Sequence, residues 1–555
     1  MSIAFPVSRR VGASKSRSGC RTCKIRRVKC GEEKPTCLRC SSTGRGCEYE
    51  NRLGAQGSPT LPLVSTQYLS ASPNSGSRER RAFEYYFQHT AQHLAGGMQV
   101  DFWTKVIPQI SRSEPAIWDG IIAISALFEH PNQSLDFPLV RNHRKGSHAL
   151  DQIQQEALSW YSRSISTVHS RINRGCADPY LALISCVLFI CVETIQGRLE
   201  EALQLFHQGV ALISDLRTQI SHGNVSLSKA SLLEHTIIPL FLRMGSLSLT
   251  ISGTQPSEIF SFAESHTSGF LSIEHARSTM VILAAEVILF EREAGMYRRA
   301  TDADSVVDIA IVAREQALRA RLAKWYASYT ELRRNYCPII ESDPLLLSYH
   351  AAASITLTGC LTSLEMVFDA HLADFSVIVE QATLILNASR RPDGSQPPFI
   401  FEPGVGVPLF LTALKCRHPG LRRRALQLLR EAPPMQGFFN CPPVALMAGT
   451  IMMLEESYST STVAGSIENS DMDSPFSLPM LQTKSQISVP EEARISYYCI
   501  FRPQEWCPPG VSLEDISRFG CGPDHLFLHF SRNRFDSDSN AWRRFFECVP
   551  LGDIP

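Results

Sequence analysis

Residues 20–47 read CRTCKIRRVKCGEEKPTCLRCSSTGRGC. Six cysteines fall at Cys20, Cys23, Cys30, Cys37, Cys40 and Cys47, so a Cys-x2-Cys-x6-Cys unit occurs twice in succession. A structural zinc takes four ligands in a tetrahedron, and two zincs therefore need eight bonds. Six thiolates supply eight bonds when two of them bridge both metals. The internal symmetry nominates the first cysteine of each half. One zinc ion would then be held by Cys20, Cys23, Cys30 and Cys37, and the other by Cys20, Cys37, Cys40 and Cys47. Two other readings compete. A disulfide framework requires an oxidising compartment. A single zinc on Cys20, Cys23, Cys37 and Cys40 leaves Cys30 and Cys47 unused at symmetric positions.

The two halves differ in charge. Between its second and third cysteines the first half carries Lys24, Arg26, Arg27 and Lys29, whereas the matching SSTGRG of the second half has only Arg45. Only the first half is equipped to face phosphates and base edges. The Lys24–Lys29 stretch predicts about one and a half helical turns, fixed between Cys23 and Cys30 and entering the DNA major groove by its end. Arginine and lysine suit guanine O6 and N7, a contact worth about 1–3 kcal/mol of discrimination. So short a module has no room for a hydrophobic core, and bound metal must supply its stability.

Working outward, the 555-residue chain has 54 basic and 54 acidic side chains, and its zero net charge would argue against a nucleic-acid partner. The charge is segregated, however. Residues 1–50 hold twelve basic and four acidic residues, a net +8, and the remaining 505 hold 42 against 50, a net −8. Six thiolates on two dications would lower the head to about +6. Such asymmetry points to a nucleic-acid-binding end. The other eleven cysteines are scattered singly, several in apolar runs, and read as reduced thiols of an intracellular protein. Residues 1–18 lack the apolar stretch of a secretory signal. The longest uncharged apolar run, Tyr180–Val192, is too short to span a membrane and predicts a buried helix.

The organisation that follows is a basic arm (1–19), the cysteine module (20–50) and a Ser/Pro/Gly-rich linker (51–78). After it come a helical domain (79–457), a polar and locally acidic segment expected to be disordered (458–492) and a C-terminal extension (493–555) without a clear pattern. In the helical domain apolar residues recur at three- and four-residue intervals over Arg81–Leu94, Pro115–Phe128, Ser147–Ile172, Leu199–Leu216, Leu232–Leu249, Ala276–Tyr297, Ala303–Leu332 and Pro344–Leu372. The fold class is therefore mainly α: a small two-zinc module, a linker and a large all-α domain. The chain contains no GxxxxGK[ST], GxSxG or HExxH, and no enzyme activity is expected.

The stretch GCRTCKIRRVKCGEEKPTCLRCSSTGRGCEY resembles the six-cysteine, two-zinc binuclear cluster of fungal-type transcription factors, including the basic run after the second cysteine and Pro35 two residues before the fourth. The region that starts RRAFEYYFQHTAQHLAGGMQV, with VPLFLTALKCRHPGLRRRALQLLREAPPMQGFFN further on, is similar to the regulatory domain found downstream of such clusters. The resemblance implies a nuclear, sequence-specific regulator of RNA polymerase II transcription that reads CGG-type triplets in double-stranded DNA. By match to the family's pattern, Arg26 and Arg27 are the base-edge candidates, and Lys24, Lys29, Arg21 and Arg39 the phosphate contacts. It also implies co-regulators or transcription machinery as partners, and a regulatory domain that could take a small-molecule effector. Family analogues often serve metabolic or secondary-metabolite pathways. Residues 51–80 hold no heptads, so the chain is expected to act as a monomer or as a homodimer through its helical domain. The rival reading is a helical scaffold or effector-binding protein whose basic zinc head is only a non-specific nucleic-acid anchor.

Overall fold

The computed structural model describes residues 20–47 except 27, 35 and 45–46. It also describes 76–551 except 97–99, 132–149, 224, 252–269, 271, 301–307, 336–342, 468–488, 523 and 539. The basic arm and nearly all of the linker lie outside the described residues. The chain divides into two units, Met1–Ser70 and Ala71–Pro555.

In the first unit two short helices, α1 (Arg21–Ile25) and α2 (Leu38–Ser41), each begin at the first cysteine of a half, Cys20 and Cys37. Both cysteines take extended backbone at the cap, and the Cys20 thiol accepts from the Cys23 amide. Here the structure corrects the sequence reading. The helix covers Arg21–Ile25 and ends at Arg26, so Lys29 is not on it. The reason is the Cys-x2-Cys spacing: Cys20 caps the helix, and Cys23, three residues on, returns its sulfur to the same side. Val28 then donates to the Cys23 carbonyl as the chain turns back toward Cys30.

The second unit is mainly helical. Its first helix, α3 (Ser77–Tyr85), runs through a π-turn (Tyr86–Thr90) into Ala91–Ala95, starting two residues before the domain boundary expected at 79. The helix α4 (Pro115–Glu129) has proline at its first position and buries every residue from Ala116 to Phe128. Next come α5 (Gln152–Asn173), capped by Asp151 with Gln154, and α6 (Pro179–Ile195), which contains the apolar Tyr180–Val192 run and is almost wholly buried. The helices α7 (Leu199–Ser221) and α8 (Ile238–Ile251) pack so closely that a Cβ on Gly209 would fall 2.5 Å from the Phe241 ring. Then follow α9 (Ile273–Ala300), α10 (Ile309–Asn335), α11 (Asp343–Thr358), α12 (Leu372–Ala388), α13 (Gly406–Lys415), α14 (Pro419–Glu431) and α15 (Cys441–Ile467). Among the described residues no helix is long and apolar enough to cross a membrane.

The helix α11 lies between two cores. Leu345, Ala352 and Ile355 pack with Phe375, Leu409, Leu429 and Ile451. Leu346, Ala353 and Leu357 pack on its other side with Phe290, Trp325 and Tyr329. A helix buried on two faces has no broad polar stripe, so its apolar residues lie on both sides and not on one.

Three features depart from an all-α domain ending at 457. The short strands β1 (Phe399–Ile400), β2 (Met435–Gln436) and β3 (Phe439–Asn440) form a small sheet inside the helical region. The helix α15 continues to Ile467, so the polar segment expected from 458 starts as helix; residues 468–488 lie outside the described residues. The C-terminal extension forms an antiparallel sheet of β4 (Ile495–Phe501), β5 (Phe527–Asp536) and β6 (Ala541–Pro550). Ile495, Leu528 and Phe530 from this sheet enter the first core, so the extension shares a core with the helices.

A buried ionic network fastens the two together. Glu455 on α15 pairs with Arg417 at 2.8 Å and Arg422 at 2.6 Å, and accepts from the Ile495 amide at 2.7 Å. Arg417 also reaches Glu365 at 3.2 Å. Glu491 caps the turn at Glu365 and Met366 and accepts from Asn533 on β5. Arg494 pairs with Asp369 at 2.7 Å. Burial pushes the Glu455 carboxyl up, but Arg417 and Arg422 outweigh it and hold its pKa below the usual range.

Candidate metal centre and nucleic-acid interface

The six cysteines of the head converge. The sulfurs of Cys20, Cys23, Cys30 and Cys37 lie within 4.8 Å of one another, as do those of Cys20, Cys37, Cys40 and Cys47. The two groups share Cys20 and Cys37, the first cysteine of each half. The Cys20 and Cys37 sulfurs are 3.8 Å apart, and Cys23 and Cys37 3.7 Å. A tetrahedron of sulfurs each ~2.3 Å from a zinc has an edge of about 3.8 Å, so the thiol set fits zinc. Cys20, Cys23, Cys30, Cys37 and Cys40 are buried, and Cys47 is half-buried. Among the described residues no apolar side chain fills the centre; the sulfurs are the core there.

Backbone amides reinforce the arrangement. Cys20 N–H donates to Cys30 Sγ and Cys37 N–H to Cys47 Sγ, each at 3.3 Å, which repeats one contact in both halves. Cys23 N–H donates to Cys20 Sγ at 3.4 Å and Glu32 N–H to Cys30 Sγ at 3.4 Å. Glu32 sits in the left-handed region with φ 66°. Residue type gave no hint of its role, because what it contributes is a backbone N–H aimed at sulfur. Glu33 accepts from the Leu38 amide at the start of α2 at 3.1 Å, another contact that cysteine spacing does not reveal.

The thiols differ in acidity. Burial pushes all five perturbed thiols up, yet the Cys23 amide and neighbouring thiols bring Cys20 below its ordinary value, and the Cys40 amide and neighbouring thiols bring Cys37 down to about 6. Cys23 is pushed up to about 12 by burial and its neighbours, and Cys40 is raised for the same reasons. At Cys47 burial and neighbouring thiols raise the pKa against the Cys37 amide, which lowers it.

The basic residues surround this core. Lys24, on α1, Lys29, beyond it, and Arg39, on α2, are exposed. Arg26 is half-buried at the end of α1, and its guanidinium donates to Thr43 Oγ1 at 3.3 Å, linking the two halves. Arg27 lies outside the described residues, and of Arg21 only the backbone is described, in α1. Ile25 and Leu38 are exposed apolar side chains beside the basic ones.

Among the described residues no other group of three His, Cys, Asp or Glu side chains meets the same ligand-distance condition. Among the described residues the cysteines of the second unit are free thiols; Cys186, Cys191, Cys360, Cys416 and Cys441 are buried, and burial pushes Cys186 and Cys360 up to about 12.

Comparison with known proteins agrees with this geometry. Residues 18–56 match the family model of the fungal Zn(2)-Cys(6) binuclear cluster domain. The chain is 25% identical over 269 residues to the aspercryptin biosynthesis cluster-specific transcription regulator atnN of Emericella nidulans, 44% of this chain and 41% of that protein. It is 39% identical over 70 residues to the aflatoxin biosynthesis regulatory protein of Aspergillus parasiticus, 12% of this chain and 16% of that one. It is 38% identical over 76 residues to the transcriptional regulatory protein moc3 of Schizosaccharomyces pombe, 11% of this chain and 15% of that one. The chain spans less than half the length of the curated relatives it matches over the longest stretches. No solved structure matches it. The chain therefore carries a fungal Zn(2)-Cys(6) binuclear cluster domain at residues 18–56, followed by a large helical region. The relatives are named as transcription regulators, not enzymes, and the family implies a nuclear location.

Proposed function

We propose that the protein is a zinc-dependent, sequence-specific regulator of RNA polymerase II transcription that reads CGG-type triplets in the major groove. The observation that carries this is the pair of four-sulfur groups sharing Cys20 and Cys37, on a unit whose exposed surface is basic. Cys20, Cys23, Cys30 and Cys37 would hold one zinc and Cys20, Cys37, Cys40 and Cys47 a second. Zinc supplies folding energy to a unit without an apolar core, ~10–16 kcal/mol in finger peptides.

With the sulfurs tied together, α1 is presented with its basic residues outward. Arg26 and Arg27, where the helix ends, are placed to reach guanine edges; Lys24, Lys29, Arg21 and Arg39 flank them to meet phosphate. Reading through Arg26 requires release of its Thr43 hydrogen bond, an exchange of one exposed polar contact for another. The division proposed with it is a head over 20–50, a linker after it and a helical body, whose first helix starts at Ser77, that regulates or assembles, with co-regulators and a small-molecule effector as partners. Relatives named for aspercryptin and aflatoxin biosynthesis favour a secondary-metabolite pathway as the target.

Zinc counting by elemental analysis tests the metal assignment. Two zinc ions per chain are expected. Cys47→Ser, which touches one group, should lose one zinc. Cys37→Ser, which touches both, should lose both. Equal losses from the two variants would exclude Cys37 as a bridge.

A further inference from the structure

The C-terminal sheet has two unlike edges. On one side β4 is short, and its pairing is interrupted between Ile495 and Tyr497. On the other, β6 pairs with β5 without interruption from Ala541 to Pro550. Among the described residues no strand lies along the outer side of β6. A long, regular edge is a template for another strand, and proteins usually block such edges with charged side chains, proline or a bulge. From Ala541 to Val549 there is no proline and no bulge, and the charges, Arg543, Arg544 and Glu547, are of both signs, so they block an unrelated strand but can pair across a twofold seam. The four central residues of this stretch, Arg543, Arg544, Phe545 and Phe546, are all exposed, with Phe545 at 41% and Phe546 at 56%.

From this edge we infer that the protein forms a homodimer in which β6 pairs antiparallel with β6 of a second copy, on a twofold axis at Phe545. The argument is one of register. A twofold axis normal to a sheet keeps its faces, so each residue must meet a partner of the same parity. The register centred on Phe545 then sets Arg543 opposite the second copy's Glu547, and Glu547 opposite its Arg543. On the other face it sets Arg544 against the second copy's Phe546, and the reverse. Phe545 meets itself. The seam as a whole thus holds two opposite-charge pairs, two cation–aromatic pairs and one aromatic pair, all of kinds that stabilise neighbouring strands.

A shift by one residue destroys this match. Centring on Arg544 puts like charges together on the axis; centring on Phe546 sets Phe545 against Glu547. Arg543 already pairs with Asp536 at 2.8 Å, and Glu547 accepts from Tyr458 at 3.0 Å and pairs with Arg532. A guanidinium has five donors and a carboxylate about four acceptor positions, so the cross-pairs add to these contacts without replacing them. The sequence is self-complementary about one residue, which selects a second copy of this chain over an unrelated strand.

Sedimentation of the full chain at micromolar concentration tests the proposal. A species at twice the 61.8 kDa monomer mass is expected. Phe545→Lys, which places two like charges on the axis, should return it to monomer with an unchanged helical content and a thermal midpoint that no longer depends on protein concentration. Phe545→Cys should cross-link to itself on mild oxidation, because directly opposed residues have Cα atoms about 4.5–5.5 Å apart, within disulfide reach. Peptide mapping should find the 545–545 link. Asp538→Cys, an exposed position on the hairpin turn, should not cross-link. A monomer at all concentrations would overturn the proposal. So would a dimer that Phe545→Lys leaves intact, or a Phe545→Cys protein that cross-links no more than Asp538→Cys.

Discussion

At the residue scale, the account rests on Cys20 and Cys37. Each starts a helix, each has its thiol pKa lowered against burial, and each belongs to both sulfur groups. Their special place was legible in the spacing, because six ligands can make eight bonds only by sharing two. What spacing could not show was the supporting backbone: the Glu32 and Cys37 amides on sulfur, or Glu33 on the Leu38 amide. These contacts depend on chain direction, which residue identity does not encode. The helix limits were misread for a related reason. A dense basic run looked like the helix, whereas the cap at Cys20 sets its start. At this scale Arg27 carries a direct prediction. Arg27→Ala should weaken binding to a CGG duplex by about 1–3 kcal/mol and relax selectivity at one position, whereas Lys29→Ala should weaken all duplexes alike and flatten the salt dependence. Competition binding against altered triplets measures both. Equal losses on every triplet for Arg27→Ala would remove it from base reading.

At the element scale, helices such as α4 and α7 were visible because their apolar residues recur with helical spacing. The C-terminal sheet was not. Of β5, His529, Ser531, Arg532 and Asn533 are buried although polar, so the alternation that marks a strand is hidden. They are tolerated inside because each finds a partner, Cys499 for His529, Ser496 for Ser531, Glu547 for Arg532 and Glu491 for Asn533, and all of these lie well away in the chain. No local pattern announces such pairs. Glu455 is the keystone, and Glu455→Gln would leave Arg417 and Arg422 buried without their shared charge, at a cost of about 3–5 kcal/mol. The pH dependence follows from its lowered pKa. The ionised form is favoured in the folded state, so its contribution is present above the ordinary carboxylate range and lost as pH falls through the folded value. Thermal melts from pH 7 downward should show the wild-type protein converging on Glu455→Gln as the pH drops. A constant gap between them would show that Glu455 does not titrate with folding.

At the scale of the whole molecule, the zero net charge is a cancellation. The first fifty residues carry +8, which two zinc ions on six thiolates would bring to about +6, and the rest of the chain carries −8. A negatively charged body has no attraction for DNA of its own, so binding belongs to the head and should depend on the head's being folded. The central claim is that zinc on the six cysteines creates a sequence reader. It is tested most directly by measuring the affinity of the zinc-loaded full chain for a duplex containing CGG and for one with the triplet scrambled, at physiological salt, before and after chelation. The account predicts tighter binding to the CGG duplex by about a thousandfold or more, loss of that preference on chelation and its return with added zinc. Equal affinity for both duplexes, or a preference that survives chelation, would contradict it.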